Sequence, residues 1–330
     1  MSALAPLAPW QARAYAHLVS ILEAGRLGHG VLFAGAAGLG KRVVAERLAQ
    51  RVLCRDPLPS GDPCGACRSC QLFAAGTHAD YARVSFILNK DETKLRTEII
   101  IDQIRALGER LALTPQYGGA QVAILDPADA INHAASNALL KTLEEPQPGR
   151  YLWLISAHPA RLSATIRSRC QRVEFRLPPR EEALAWLGAQ GHSGALATEA
   201  LDAARGHPGL AHAWIRGDGL ALRRQVAADL DKLEHGALGA LGTAQAWVAD
   251  EFADLRLSHA ADIALERAAG AGSTGLTDPQ RTRRLAAWFD AANRTRDLLR
   301  TTVRADLAVA ELLLAWRGDA PPPSVKGGRA

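Results

Sequence analysis

The chain has 330 residues, 48% of them hydrophobic and 22% charged, with a formal net charge of +5. That length exceeds one compact core and predicts two or three domains, and the composition excludes a disordered chain. The positive excess is small enough to be ordinary solubilising charge, so it assigns no nucleic-acid partner by itself.

The start, Met1-Ser2-Ala3-Leu4-Ala5-Pro6, lacks a basic region followed by an apolar core. No signal peptide is expected there, no apolar run reaches membrane-spanning length, and a cytoplasmic location is expected. The first strand candidate is Val31–Ala34. It runs into Gly35-Ala36-Ala37-Gly38-Leu39-Gly40-Lys41-Arg42, which opens an amphipathic helix. Strand, glycine-rich loop and helix together predict a phosphate-cradling loop, with Gly35, Gly38, Gly40 and Lys41 as its binding residues. In a working loop Ser or Thr follows the lysine and holds Mg²⁺. Here Arg42 follows it, so the loop is expected to be vestigial.

Cys54, Cys64, Cys67 and Cys70 come next, four of the five cysteines in the chain. Three thiolates on a tight turn and one from a helix end can close a tetrahedron around structural Zn²⁺. An iron–sulfur cluster or reduced thiols are the alternatives, but the only later cysteine is the distant Cys170. Ile100, Ile104, Leu107 and Leu111 then mark one face of a helix. Val122–Leu125 is a second strand candidate, ending in Asp126, the acid expected to orient a metal. Pro127 stands where hydrolytic relatives place a water-activating Glu, and Asp129 has no sequence signal of replacing it. Asn132 is expected to cap a helix that runs to about Glu145 and stops at Pro146.

Tyr151–Ser156 and Val173–Leu177 complete the strand candidates, all unbroken enough to suit a parallel sheet covered on both faces. Between them lies Ser168-Arg169-Cys170. From spacing alone Arg169 reads as a solvated surface arginine, with Arg167 and Arg172 beside it. Pro178-Pro179 marks a boundary. Glu181–Ala189 and Leu196–Arg205 then predict short helices, closed by Gly206-His207-Pro208-Gly209. From about Gly217 the chain is Ala/Leu-rich with helical spacing and a Gly-rich break near 270–275. His29, His133, His158 and the other scattered histidines show no ligand spacing and read as ordinary residues.

The helix Ala134–Pro146, with its core Ser136-Asn137-Ala138-Leu139-Leu140-Lys141, and Ser168-Arg169-Cys170 together resemble the signature of clamp-loader AAA+ subunits. The cysteine insertion after the loop helix, followed by Gly76-Thr77-His78-Ala79-Asp80-Tyr81, is similar to the bacterial clamp loader. Arg42 and Pro127 narrow the resemblance to the delta-prime family of bacterial DNA polymerase III subunits. It covers about residues 20–215 strongly, and beyond them only in domain order and helical character.

The resemblance implies an α/β P-loop (RecA-like AAA+) domain over 1–177, with the zinc knuckle inserted at about 54–70. A helical lid over 178–216, a helical collar for oligomerisation over 217–318 and a disordered tail over 319–330 would follow. It implies a heteropentamer with gamma/tau ATPase subunits and a delta subunit, which loads a sliding clamp onto primer–template DNA. The family does not hydrolyse ATP itself and lends the arginine of Ser-Arg-Cys to a neighbour's ATP. That role carries onto Arg169, and the zinc ligands carry onto Cys54, Cys64, Cys67 and Cys70. The lid has Gly206–Ala211 where active relatives carry an arginine facing ATP. Lys41, lost in many members, is retained here, which leaves nucleotide or phosphate binding less excluded.

Three functions follow for weighing. The first is a non-hydrolysing subunit that completes a neighbour's ATPase site. The second is an active motor ATPase of gamma/tau type, against which Arg42 and Pro127 both speak. The third, a zinc-bearing DNA-binding module, has only Arg68 between its ligands and no recognition-helix pattern.

Overall fold

The computed structural model describes residues 5–89, 91–117, 119–273, 279–299 and 301–317. It divides into two compact units, residues 1–211 and 212–330.

In the first unit, α1 (Pro9–Glu23) precedes β1 (Gly30–Gly35), α2 (Lys41–Leu53), α3 (Arg68–Ala74) and β2 (Tyr81–Val84). Then come α4 (Ile101–Ala112), β3 (Gln121–Leu125), α5 (His133–Glu144), β4 (Arg150–Ser156), α6 (Ala164–Ser168) and β5 (Gln171–Phe175). The helices α7 (Arg180–Ala189) and α8 (Gly194–Ala203) follow, and the boundary between the units falls within α9 (Pro208–Arg216).

All five strands are parallel, in the order β2-β3-β4-β1-β5. Side chains alternate between faces along a strand, and the sequence supplies apolar residues for both. Val31, Phe33, Val122, Ile124, Trp153 and Ile155 fill the layer shared with Leu18, Val44 and Leu48 of α1 and α2. Leu32, Ala34, Ala123, Leu125, Leu152 and Leu154 fill the other, with Leu107 and Leu111 of α4 and Leu139 and Leu143 of α5. Such double-sided burial reads as unbroken apolar runs, which is why β1, β3 and β4 are legible in the sequence.

Several details differ from expectation. β2 is an additional strand: an edge position leaves its residues half-covered and admits an exposed Arg83, so no apolar run marks it. β5 ends at Phe175 rather than Leu177. The α4 stripe begins at Ile104. Ile100 sits ahead of the helix, its N–H bonded to the Gln103 side chain at 3.2 Å, and Ile99 is the buried residue. Asn132 does cap α5, accepting the Ala135 N–H at 2.9 Å.

The second unit consists of helices: the end of α9, α10 (Gly219–Glu234), α11 (Ala240–Trp247), α12 (Ala253–Ser273), α13 (Pro279–Leu298) and α14 (Ala305–Arg317). Alanines let the helices approach closely, and large aromatics fill the space between them. Each of three core tryptophans finds an acceptor for its indole N–H: Trp247 at Asp229 (3.0 Å), Trp288 at the Leu312 carbonyl (2.9 Å) and Trp316 at the Leu230 carbonyl (3.0 Å). α12 continues through Ser273, across the first part of the break expected near 270–275; the rest of that stretch and the expected tail over 319–330 lie outside the described residues.

His259 is fully buried in this unit, edge-on to Trp214 at 4.6 Å, and among the described residues neither ring nitrogen meets a partner at full hydrogen-bond geometry. Burial, reinforced by the Arg223 and Arg296 charges against a weaker pull from the Gly219 backbone, lowers its pKa from 6.5 to about 4. The stability that depends on a neutral imidazole is therefore complete above 6.5 and is lost as pH falls towards 4. The loss amounts to about 3 kcal/mol by that point. Thermal melts across this range should show the loss in the parent chain and a flatter profile in His259→Leu; identical profiles would contradict it.

Candidate functional site

The loop between β1 and α2 has the strand–loop–helix setting that the sequence predicts. Gly35, Gly38 and Gly40 all have positive φ (144°, 79° and 78°), a backbone that L side chains rarely adopt. Its charges are committed inside the protein. Lys41 is 5% exposed, and its ammonium donates to the carbonyls of Gly35 and Ala36, each at 2.7 Å. Burial lowers its pKa, against the attraction of Asp126 and Asp129.

Arg42 projects to the end of β3 and forms an ion pair with Asp126. Asp126 is 6% exposed, so its carboxylate needs a cation at hand. The residue in the magnesium-ligand position thus brings a fixed positive charge to the acid that would orient a metal.

Neighbouring segments close over the loop. The Trp10 indole and the Gln11 amide both donate to the Leu39 carbonyl, at 3.0 and 3.3 Å. From the other side comes the first turn of α9. A Cβ on Gly209 would stand 2.0 Å from the Gly38 carbonyl oxygen, so only glycine permits this approach. His207 Nδ1 reaches the Ala37 carbonyl at 3.3 Å.

Asp129 is tied down as well. It accepts the Ala157 N–H at 3.0 Å and pairs with His158 at 3.3 Å. Burial would raise its pKa, but bonds from Ser156, His158 and Ala157 outweigh that and hold it below the ordinary value. It serves to join the start of the segment after β3 to the end of β4. Ser156, fully buried, is a member of this group that sequence reading missed.

The four cysteines expected to form one centre do converge: the Sγ atoms of Cys54, Cys64, Cys67 and Cys70 all lie within 4.8 Å of one another. Cys54 stands 3.5 Å from Cys64 and 3.9 Å from Cys67, and Cys64 stands 4.0 Å from Cys70. A tetrahedron with Zn–S bonds of about 2.3 Å needs sulfurs about 3.8 Å apart, so the set fits such an ion. Backbone N–H groups point at the sulfurs, from Cys64 to Cys54 at 3.3 Å and from Cys67 to Cys64 at 3.3 Å. These donors favour thiolates, the form that binds metal. Cys170 lies apart, buried beneath β1, where burial raises its pKa to about 11.

Arg169 caps the C-terminus of α6, exposed. It donates to the Thr165 carbonyl at 3.0 Å and pairs with Glu144 at 2.7 Å. Arg169 stands two residues before β5, whose first residue pairs with Val31, whereas the loop follows the far end of β1 at Gly35. At about 3.3 Å per residue, the two features sit on opposite edges of one sheet, roughly 15 Å apart. Arg169 therefore has no access to its own chain's loop through a side-chain movement alone.

A family model described as "DNA polymerase III, delta subunit" matches residues 10–179. DNA polymerase III subunit delta' of Pseudomonas aeruginosa is 40% identical over 232 residues, 70% of this chain and 68% of its own length. The chain belongs to the DNA polymerase III delta-prime family. The Escherichia coli subunit delta' is 35% identical over 225 residues, 67% of this chain and 65% of its own length, so each match spans about two-thirds of the relative. A solved structure of a DNA polymerase III gamma subunit-related protein from Thermotoga maritima is 17% identical, with a TM-score of 0.42 over 92% of this chain and 99% of its own.

Within this delta-prime chain, the loop glycines, Lys41 and the cysteines lie where the sequence places them. The residues that close the loop, Trp10, Gln11 and Gly209, carry no local motif, because their role comes from tertiary approach. No helix among the described residues is long and apolar enough to cross a membrane.

Removing the guanidinium should expose the dependence of Asp126 on it. Arg42→Ser is expected to cost about 1–2 kcal/mol, since the arginine side chain is 51% exposed and solvent screens the pair. That is a fall of a few degrees in Tm, roughly 2–4 °C per kcal/mol for a domain of this size. Millimolar Mg²⁺ should recover part of it in the variant and leave the parent unmoved. An unchanged Tm in the variant would contradict the pairing.

Proposed function

We propose that this chain is a non-hydrolysing clamp-loader subunit that completes the ATP site of a neighbouring subunit. The observation that carries the reading is the Arg42–Asp126 ion pair, which puts a permanent cation where the chemistry of a working site needs a divalent metal. Pro127 in place of the water-activating carboxylate and the engagement of Asp129 by Ala157 and His158 support it. The motor alternative of gamma/tau type would need the metal position, the base and the lid all to be compensated.

On this reading residues 1–177 form the AAA+ domain, 178–216 the lid and 217–318 the collar that binds other subunits. The partners are gamma/tau ATPase subunits and a delta subunit in a heteropentamer, with a sliding clamp and primer–template DNA engaged through the complex, in the bacterial cytoplasm. The four-cysteine centre holds structural Zn²⁺. A closed set of four thiolates leaves no open coordination position, so it has no catalytic part.

The mechanism assigns Arg169 to the neighbour's ATP. Charge accumulates on the transferring phosphoryl group, and a guanidinium placed against it stabilises the transition state. Glu144 holds Arg169 in the separate chain, and assembly would exchange that carboxylate oxygen for phosphate oxygens, which accept N–H bonds from a guanidinium as readily. Primed DNA then triggers hydrolysis in the neighbours, and the clamp closes on it.

In a reconstituted loader, Arg169→Ala should leave assembly intact and slow hydrolysis at the one site it faces, by about 10³-fold or more. DNA-stimulated ATP turnover of the whole complex should fall by that site's share. Turnover equal to that of the parent complex would overturn the arginine assignment.

A further inference from the structure

Beside the cysteine centre lies a buried polar chain that the nucleotide and arginine chemistry do not use. Ser69, His78 and Asp80 are each at most 3% exposed. The Ser69 hydroxyl donates to the Leu53 carbonyl at 2.6 Å. A hydroxyl has a single proton, so the 2.7 Å contact between Ser69 Oγ and His78 Nε2 must have the imidazole donating. The opposite nitrogen agrees: His78 Nδ1 accepts the backbone N–H of Asp80 at 3.0 Å. The ring is thereby the neutral tautomer with its proton on Nε2, as assigned by the hydrogen-bond network. The Asp80 carboxylate in turn accepts the backbone N–H groups of Gln116 and Tyr117, at 2.8 and 3.0 Å.

The polarity of this chain rules out a nucleophile. The Ser69 proton is directed at a carbonyl, and His78 presents a donor to the oxygen where a general base would present a lone pair. Its position suggests a different use. Leu53 immediately precedes Cys54, and Ser69 immediately precedes Cys70. One hydroxyl therefore joins the end of α2 to the first turn of α3, and these two segments supply the two buried sulfurs of the centre. His78 and Asp80 anchor that joint to the start of β2 and to the segment leading into β3.

We propose that His78 is a positioning residue for the four-cysteine metal centre, acting through Ser69 to hold Cys54 and Cys70 at the spacing an ion requires. Hydrogen-bonded supports of this kind limit how far a ligand can swing away, and so govern how readily a bound ion escapes. The proposal rests on the reading that the cysteines hold a metal.

The test uses the full chain purified without chelator. Zinc content is measured first, and then the rate of zinc transfer to a chromogenic chelator, well below each variant's melting transition. The parent should carry about one zinc per chain. His78→Phe, which keeps a ring but no polar atom, should release it at least about 10-fold faster. His78→Gln, whose amide can offer an N–H towards Ser69, should recover part of the slow release. Release from His78→Phe at the parent's rate would overturn the proposal. If His78→Phe does not fold, Ser69→Ala deletes a single hydroxyl and carries the same expectation, and parental release from it would be equally decisive against. A parent chain without zinc would instead remove the metal reading, and the role of His78 with it.

Discussion

A carboxylate buried at the end of a parallel strand cannot be left without a positive partner, and Asp126 is such a group. In a nucleotide-hydrolysing relative of this architecture, a divalent ion would share that duty. Here Arg42 performs it from the same helix that follows the loop, and Lys41 turns back to the loop's own carbonyls. Once the charges are settled internally, neighbouring segments can approach: Trp10 and Gln11 bond to Leu39, and Gly209 comes against Gly38. On the proposed reading, loss of metal chemistry and closure of the loop are one physical change seen from two sides.

The same sheet separates two kinds of work. The loop follows its C-terminal edge and Arg169 precedes its N-terminal edge. A doubly covered sheet fixes that separation, so an arginine displayed at one edge does not reach its own chain's loop. The proposed function uses this separation: the chain supplies a stable frame and a positioned charge, while a neighbour supplies nucleotide and metal.

Much of the sheet was legible because burial on both faces demands long apolar runs, as in Val31–Ala34, Val122–Leu125 and Tyr151–Ser156. The loop and the cysteine spacing were legible because their chemistry fixes residue type and interval. Other features left no such trace. β2 is an edge strand, where half-exposed residues blur the pattern. Gly209, Ser156 and Gln11 act through approach across the fold, which no short window of sequence contains. His78 passed for an ordinary histidine because its partners lie on separate segments and its role is to hold other residues. The role proposed for Arg169 comes only from the family resemblance; its spacing alone suggests a surface charge.

ATP turnover by the purified chain, with Mg²⁺ and primed DNA, and again after adding the clamp-loader ATPase subunits, decides whether this chain works as a motor or completes a neighbour's site. No turnover is expected from the chain alone, and turnover with the partners should exceed that of the partners by themselves. Turnover by the chain alone would contradict it, because it would mean that a site with Arg42 on Asp126 and Pro127 beside it still works as a motor.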